Sequence, residues 1–351
     1  MVIKVGIIGS GFIAEHHCFA FSQIPGVKII GISSLDQDSA LKLIEKFNIA
    51  GPYFKDYHDL LSQVCDAISI CLPNSLHHEV SLAALSQGKH IFIEKPLARN
   101  VAEGLEIVKA AQKAKKTIFY CENNIYAPSF VKAKELVDGG AIGKIYMGRG
   151  REHHSGPHSA WFYKQKLAGG GALIDLGIHD IACLVWYLNE DVEKVFCQTS
   201  IVSPDRGEFG QCEVEDNAMG ILYFENGAQV SIEESWTAPS SFDVKIELYG
   251  TKGQIIVNPS HMAPLEVFSE NGFGYAVEKA STTKGWTFPI PAESWTFGYP
   301  QEMQHFINCI VEERIPYTDG KFGLKILAIV EAMYKSTQSG KIEVVFYPKI
   351  E

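Results

Sequence analysis

Val2-Ile3-Lys4-Val5-Gly6-Ile7-Ile8-Gly9-Ser10-Gly11-Phe12-Ile13-Ala14 is the stretch whose reading decides the fold. The residues before Gly9 form a nearly unbroken apolar run, the pattern of a parallel strand buried on both faces. Gly9-x-Gly11-x-x-Ala14 then makes a turn of small residues, and Glu15 to Ala20 continue at helical spacing. Such a turn lets backbone approach a pyrophosphate, and the helix N-terminus offers N–H groups and positive dipole to phosphate. Strand, glycine turn and helix in this order are the context that dinucleotide binding requires; the bland reading is an accidental glycine turn.

Outward from that turn, strand and helix alternate. Val27 to Ser34, Ala67 to Leu72, His90 to Ile93 and Thr117 to Cys121 read as strands. Asp38 to Phe47, the residues from the Pro73–His78 loop to Gln87, and Val101 to Lys115 read as helices, the last capped by Asn100. Alternation at this spacing predicts a doubly wound parallel sheet over residues 1–125, with ligands beyond the carboxyl ends of its strands. The candidate cofactor-binding residues on that rim are Gly9, Gly11, Phe12, Ile13, Ser33, Ser34, Leu72, Pro73, Asn74, His77, Glu94, Lys95 and Asn123. Ser33 and Ser34 stand where an acid would bind the ribose of NAD or an Arg the phosphate of NADP. No Arg is adjacent, and Asp36 and Asp38 would repel a phosphate, so NAD is favoured over NADP.

Lys95 follows a buried strand and precedes Pro96, which restricts its backbone and permits a cis bond. A lysine pinned at the ligand rim can hydrogen-bond a substrate hydroxyl and favour its alkoxide-like form. The bland reading is an exposed lysine at a strand end.

Beyond about Tyr126 the pattern changes. Pro128 to Val137 reads as a helix, and strands then predominate: 145–151, 195–201, 217–224, 229–236, 243–249 and 254–257. Glu225-Asn226-Gly227-Ala228 is a hairpin signal. Residues 126–351 are therefore expected to form an α+β domain with a largely antiparallel open sheet. One face of that sheet is a plausible interface for a homodimer or homotetramer. Helices over 301–313 and 321–339 close the chain.

Within this half lies Gly169-Gly170-Gly171-Ala172-Leu173-Ile174-Asp175-Leu176-Gly177-Ile178-His179, running into an apolar helix toward Leu188. The glycines let backbone come close to something. Asp175 and His179 are four apart, so a helix puts both on one face, as a proton-transfer site needs. A structural Asp–His pair gives the same spacing. Upstream, Glu152 to Tyr163 carries His153, His154 and His158 on a Gly156-Pro157 loop with Trp161 and Tyr163. That spacing is not a helical metal set, and no metal is expected. The loop can form a polar and aromatic wall for a carbohydrate, or fold on its own aromatics. Substrate-binding candidates are Lys95, Tyr126, His153, His158, Trp161, Asp175 and His179.

At 351 residues the chain accommodates two domains. A formal charge of -10 without a Lys/Arg block argues against nucleic acid or an anionic membrane as partner. Eight scattered cysteines without C-x-x-C suggest buried thiols in a reducing cytosol. With no signal-peptide pattern and no apolar run of membrane-spanning length expected, the cytoplasm is the expected compartment.

The whole chain resembles the glucose–fructose oxidoreductase/inositol dehydrogenase/MocA (Gfo/Idh/MocA) family. The resemblance rests on Gly9-x-Gly11-x-x-Ala14, Pro73-Asn74-x-x-His77, Glu94-Lys95-Pro96 and Gly169-Gly170-Gly171 through Asp175-x-Gly177-x-His179. It implies an NAD(P)-dependent oxidoreductase of sugars, polyols or their derivatives, with Lys95, Asp175 and His179 at the catalytic positions. The Ser155–His158 loop is similar to that of members oxidising glycosides. Two other readings stay open here: redox-neutral glycoside cleavage with tightly held NAD, and a non-catalytic sensor of NAD or sugar.

Overall fold

The computed structural model describes residues 2–238, 242–260, 265, 267–274, 282–290 and 292–350. The chain divides into two compact units: 1–126 with 298–327 and 348–351, and 127–297 with 328–347. The chain first crosses between the units at Tyr126/Ala127, and the segment Gly298–Leu327 returns to the first unit.

The first unit holds β1 (Ile3–Ile8), α1 (Phe12–Ser22), β2 (Val27–Ser33), α2 (Gln37–Lys46), β3 (Tyr53–Phe54), α3 (Tyr57–Leu61), β4 (Ala67–Ile70), α4 (Asn74–Ser86), β5 (His90–Glu94), α5 (Val101–Ala114) and β6 (Ile118–Cys121). The sheet is parallel throughout, in the order β3-β2-β1-β4-β5-β6. Strand order reverses between β1 and β4, the switch point beside which doubly wound sheets bind ligands. Asp36 caps α2 by accepting from the Ser39 N–H, and Asn100 caps α5 by accepting from the Glu103 N–H. In the returning segment, Phe306 lies fully buried against Phe92 and Phe119, with ring centroids 5.9 and 5.1 Å away. Fully burying such a side chain is worth roughly 1.5–3 kcal/mol, one contribution to holding the segment on this core.

The second unit holds α6 (Pro128–Asp138), β7 (Ile145–His153), α7 (Gln165–Ala168), α8 (Ile178–Leu188), β8 (Val192–Ser200), β9 (Asn217–Phe224), β10 (Gln229–Ser235), β11 (Asp243–Gly250) and β12 (Gly253–Val257). β13 (Val267–Ser269) and β14 (Gly285–Thr287) make a separate pair, and β15 (Glu343–Val344) ends the main sheet. Between them lie α9 (Glu293–Thr296), in this unit, and α10 (Tyr299–Val311), in the first. α11 (Gly320–Ser339) belongs to the first unit up to Leu327 and to the second from Ala328.

The large sheet has the order β12-β11-β7-β10-β9-β8-β15, antiparallel except for β7 with β10. The predicted hairpin joins β9 to β10, with Gly227 at φ +88° and the Asn226 side chain accepting from the Ala228 N–H. α8 packs on one face of this sheet, where β7 presents Gly150. A Cβ there would lie 2.8 Å from the Asp180 carboxyl, so the glycine permits the helix to approach.

The helical stretch Gln165–Leu188 is long and apolar enough to cross a membrane by length and composition, contrary to the expectation from sequence. In this fold it is a core element, with 89% of its most apolar window buried.

Candidate active site

In the first unit the glycine turn is built as its spacing requires. Gly9 has φ +115°, and a Cβ on it would lie 2.0 Å from the Cys71 carbonyl oxygen. Only glycine satisfies both conditions. A Cβ at Gly11 would meet nothing within 4 Å, so the space beside the turn is open. No side-chain cap closes the N-terminus of α1, whereas Asp36, Asp56 and Asn100 cap α2, α3 and α5. Open space and an N-terminus left to other acceptors suit a pyrophosphate.

At the end of β2, Ser33 is buried while the Ser34 hydroxyl lies 2.7 Å from that of Ser10. The Asp36 carboxylate is committed to Ser39 through both its backbone and its hydroxyl, which hold its pKa below the usual range. Phe12 is half exposed, and Ile13 partly buried, on the first turn of α1.

The Pro73–His78 segment departs from the loop expected of it. α4 starts at Asn74, which puts His77 in its first turn with the side chain turned inward. The His77 ring is fully buried, Nδ1 lying 2.8 Å from the Pro96 carbonyl oxygen and Nε2 2.9 Å from that of Leu72. His77 is thus a brace for two rim loops rather than a side chain on the rim. Burial lowers its pKa, outweighing the two carbonyls that favour the charged ring.

Glu94 also points inward. Its Oε1 accepts from His17 Nε2 at 2.8 Å and its Oε2 from the Lys95 N–H at 3.2 Å. Lys95 itself is partly buried, and the Lys95–Pro96 bond is cis. Asn123 donates through Nδ2 to Asn124 Oδ1 at 3.3 Å. Tyr126 is a core residue: its hydroxyl lies 2.9 Å from that of Thr318 and its ring packs on His305 and Phe306. These surroundings give it a structural place, not the substrate-binding one expected from sequence.

A pH dependence of stability follows for this unit. Burial first, then Lys116 beside His90 and Arg314 beside His305, pushes both imidazoles down to about 4. His90 Nδ1 accepts the Thr117 N–H and His305 Nε2 the Tyr317 N–H, so both rings are needed neutral. The unfolded chain, with histidine pKa about 6.5, binds these protons first as pH falls. Stability is therefore lost from about pH 6.5 down through pH 4, and the urea midpoint should fall over that range.

In the second unit the three glycines meet an internal partner. A Cβ at Gly171 would lie 1.8 Å from the Glu215 carbonyl oxygen, and one at Gly170 2.0 Å from the Tyr334 hydroxyl. Glu215 Oε1 accepts the Gly171 and Leu173 N–H groups at 2.9 and 3.1 Å and the Tyr334 hydroxyl at 2.7 Å. This carboxyl answers the donors of the helix start from 44 residues downstream. The backbone then makes a π-helical turn over Leu173–Gly177 before α8 begins. Such turns often occur at functional sites.

Asp175 lies in that turn and His179 in the first turn of α8; both are buried, at 8% and 7% exposure. Asp175 Oδ2 accepts from the Trp236 indole N–H at 3.2 Å. Trp236, just past β10, is fully buried among Tyr163, Ala172, Leu176, Cys212 and Val214. Its carbonyl is held by Arg206, which pairs with buried Asp216 at 2.6 Å. Nearby, burial and then the neighbouring Asp180 and Glu152 carboxyls push the Glu234 pKa well above the usual carboxylate range.

The histidine loop divides. His154 is buried, its Nδ1 accepting the Gly156 N–H at 2.9 Å. His153 ends β7, partly buried, and burial lowers its pKa; His158 is exposed. Trp161 stacks on Phe162 at 3.7 Å, and Tyr163 lies in the Trp236 cluster. Tyr163 is therefore no open face for a sugar.

Trp236 and Glu215 lie outside every motif read from the sequence. The one available signal for Trp236 was its place at the end of the inward alternation Ile232, Glu234, Trp236. Trp236→Phe keeps an aromatic ring in the cluster and removes the donor to Asp175. A hydrogen bond to a charged group is worth about 1.5–3 kcal/mol, so turnover should fall at least ~10-fold with NADH affinity unchanged, read by steady-state kinetics and NADH fluorescence.

Residues 3–121 match the oxidoreductase family with the NAD-binding Rossmann fold, and residues 130–256 match the GFO/IDH/MocA C-terminal domain. The chain belongs to the Gfo/Idh/MocA oxidoreductase family. Among its relatives, myo-inositol 2-dehydrogenase of Thermotoga maritima is 28% identical over 96% of each chain. The uncharacterized oxidoreductase YrbE of Bacillus subtilis is 32% identical over 76% of each. The solved structure of levoglucosan dehydrogenase with NADH and levoglucosan superposes with a TM-score of 0.84 at 25% identity, covering 98% of this oxidoreductase and 100% of that chain.

Proposed function

We propose that this oxidoreductase transfers a hydride from a secondary hydroxyl carbon of a sugar, polyol or glycoside to NAD. The observation that carries the proposal is Lys95, braced through Glu94 at the carboxyl end of β5 on the same sheet edge as the open glycine turn. That is where a dinucleotide's reactive end is bound in such sheets. Relatives named for myo-inositol and levoglucosan support the substrate class.

NAD supplies the hydride acceptor when bound. His179 takes the hydroxyl proton, and Lys95 stabilises the oxyanion that develops on that oxygen. Asp175, fixed by the Trp236 N–H, holds substrate or lysine in place. His153, His158 and Trp161 read the remaining hydroxyls, and the Ser155–His158 loop favours a glycoside among them. Ser33, Ser34 and Asp36 at the end of β2 would hold the ribose end of the cofactor, and no Arg stands beside them, which supports NAD over NADP.

The test is NADH absorbance with NAD or NADP and a panel of inositols, sugars, glycosides and levoglucosan. Reduction of NAD by at least one panel member is the expected result; a flat trace across the panel would defeat the proposal. We further propose a homodimer or homotetramer through the sheet face bearing Met219 and Ile256, which are 63% and 50% exposed. A cytoplasmic location is supported by eight buried free cysteines.

A further inference from the structure

Two fully buried histidines reach the main chain around Lys95, one before it and one after it in sequence. His17, on α1 directly after the glycine turn, binds the Glu94 carboxylate whose other oxygen accepts the Lys95 N–H. His77, on α4, lies 2.8 Å from the carbonyl oxygen of Pro96. The His17 ring is fixed at its far side by the Ser69 hydroxyl on β4, 2.7 Å from Nδ1. The peptide unit before Lys95 and the one after Pro96 are thus tied to the helices of two different strand–helix repeats.

We propose that His17 and His77 are positioning residues for Lys95: together they fix the backbone from which its ammonium is aimed. This rests on the role of Lys95 given above. A side chain with four rotatable bonds can be aimed only if its Cα–Cβ direction is set, and backbone ties on both flanks set it. Because α1 also begins at the glycine turn, the same strap links the lysine backbone to that turn. His17 and Glu94 are both removed from water, so each needs the other. Burial alone would lower the His17 pKa; the Cys71 sulfur and the Glu94 carboxylate more than offset it and hold the ring's proton. The stability from this raised pKa is complete below about pH 6.5 and is lost as pH rises through the folded value.

Cys121 lies within reach of the same two groups, and the three could hold an ion. The 2.8 Å contact of His17 with Glu94 decides against that reading. Two ligand atoms around a tetrahedral zinc sit roughly 3.3 Å apart or more, whereas 2.8 Å is a charge-assisted hydrogen bond.

The test uses the full-length protein with His17→Gln, His77→Ala and the double variant His17→Ala/Glu94→Gln. The double variant leaves no unpaired buried charge, so it loses less stability than removal of either partner alone. Reductive 13C-methylation gives Lys95 its own resonance, assigned by its loss in Lys95→Arg. In the double variant and in His77→Ala, the Lys95 resonance and its titration should shift. In both, kcat should fall roughly 100-fold, the cost of a misplacement of about 1 Å, with KM unchanged. His17→Gln, whose amide still donates to Glu94, should restore most of both. A Lys95 resonance and kcat like wild type, with only the melting temperature lowered, would overturn the proposal. So would stoichiometric zinc held by His17 and Glu94. If the wild type oxidised no polyol the proposed function would fail, while the resonance would still decide this proposal.

Discussion

His179→Ala should lower kcat by about 1,000-fold while NADH affinity stays at the wild-type value, as expected for loss of a general base. The imidazole lies in the first turn of α8 and is largely shielded from solvent. Water therefore substitutes for it poorly as proton acceptor. Only the neutral ring can take a proton, so wild-type kcat/KM for oxidation should rise with pH on an acid limb that the variant lacks. Steady-state kinetics from pH 5.5 to 9 and NADH fluorescence titration read both. Equal losses in turnover and cofactor affinity would mean that His179 supports the fold or the cofactor rather than proton transfer.

Lys95→Met should cost about 100- to 1,000-fold in kcat, the scale of removing one donor from a developing oxyanion. Methionine matches the four-atom apolar stem while removing the charged ammonium. The Glu94 tie goes to the Lys95 backbone N–H and survives the substitution, so the rim should keep its shape. Lys95→Arg should recover little, because a planar guanidinium does not place a point charge where the ammonium stood. Crystallisation of the Met variant with unchanged backbone, together with unaltered turnover, would remove Lys95 from the reaction.

Much of the first unit was legible because parallel strands buried on both faces write themselves as apolar runs. β1, β2, β4, β5 and β6 were all read within a few residues of their bounds. β3 and α3 were not, being two and five residues long, too short to show a period. The return of α10 to the first unit was also missed. An apolar helix face such as that of Phe306 looks the same whichever core it covers.

At the candidate site, spacing singled out Asp175 and His179 but did not show the geometry of their backbone, which is π-helical before it is α-helical. Motif position showed which end of the sheet His77 and Glu94 occupy. It did not show that both turn inward to brace the lysine loop. Glu215 and Trp236 are tertiary partners from distant strands and loops, and no local pattern names such partners. The aromatic loop misled for a related reason: Tyr163 sits beside Trp161 in sequence yet fills the Trp236 core.

The most direct measurement of the central claim is a crystal structure with NAD and whichever polyol reduces it. The expected result is one substrate hydroxyl with Lys95 Nζ and His179 Nε2 both within about 3.2 Å, and its carbon facing the nicotinamide C4. Lysine and histidine nitrogens facing separate cavities, or a dinucleotide bound away from the Gly9–Gly11 turn, would contradict it.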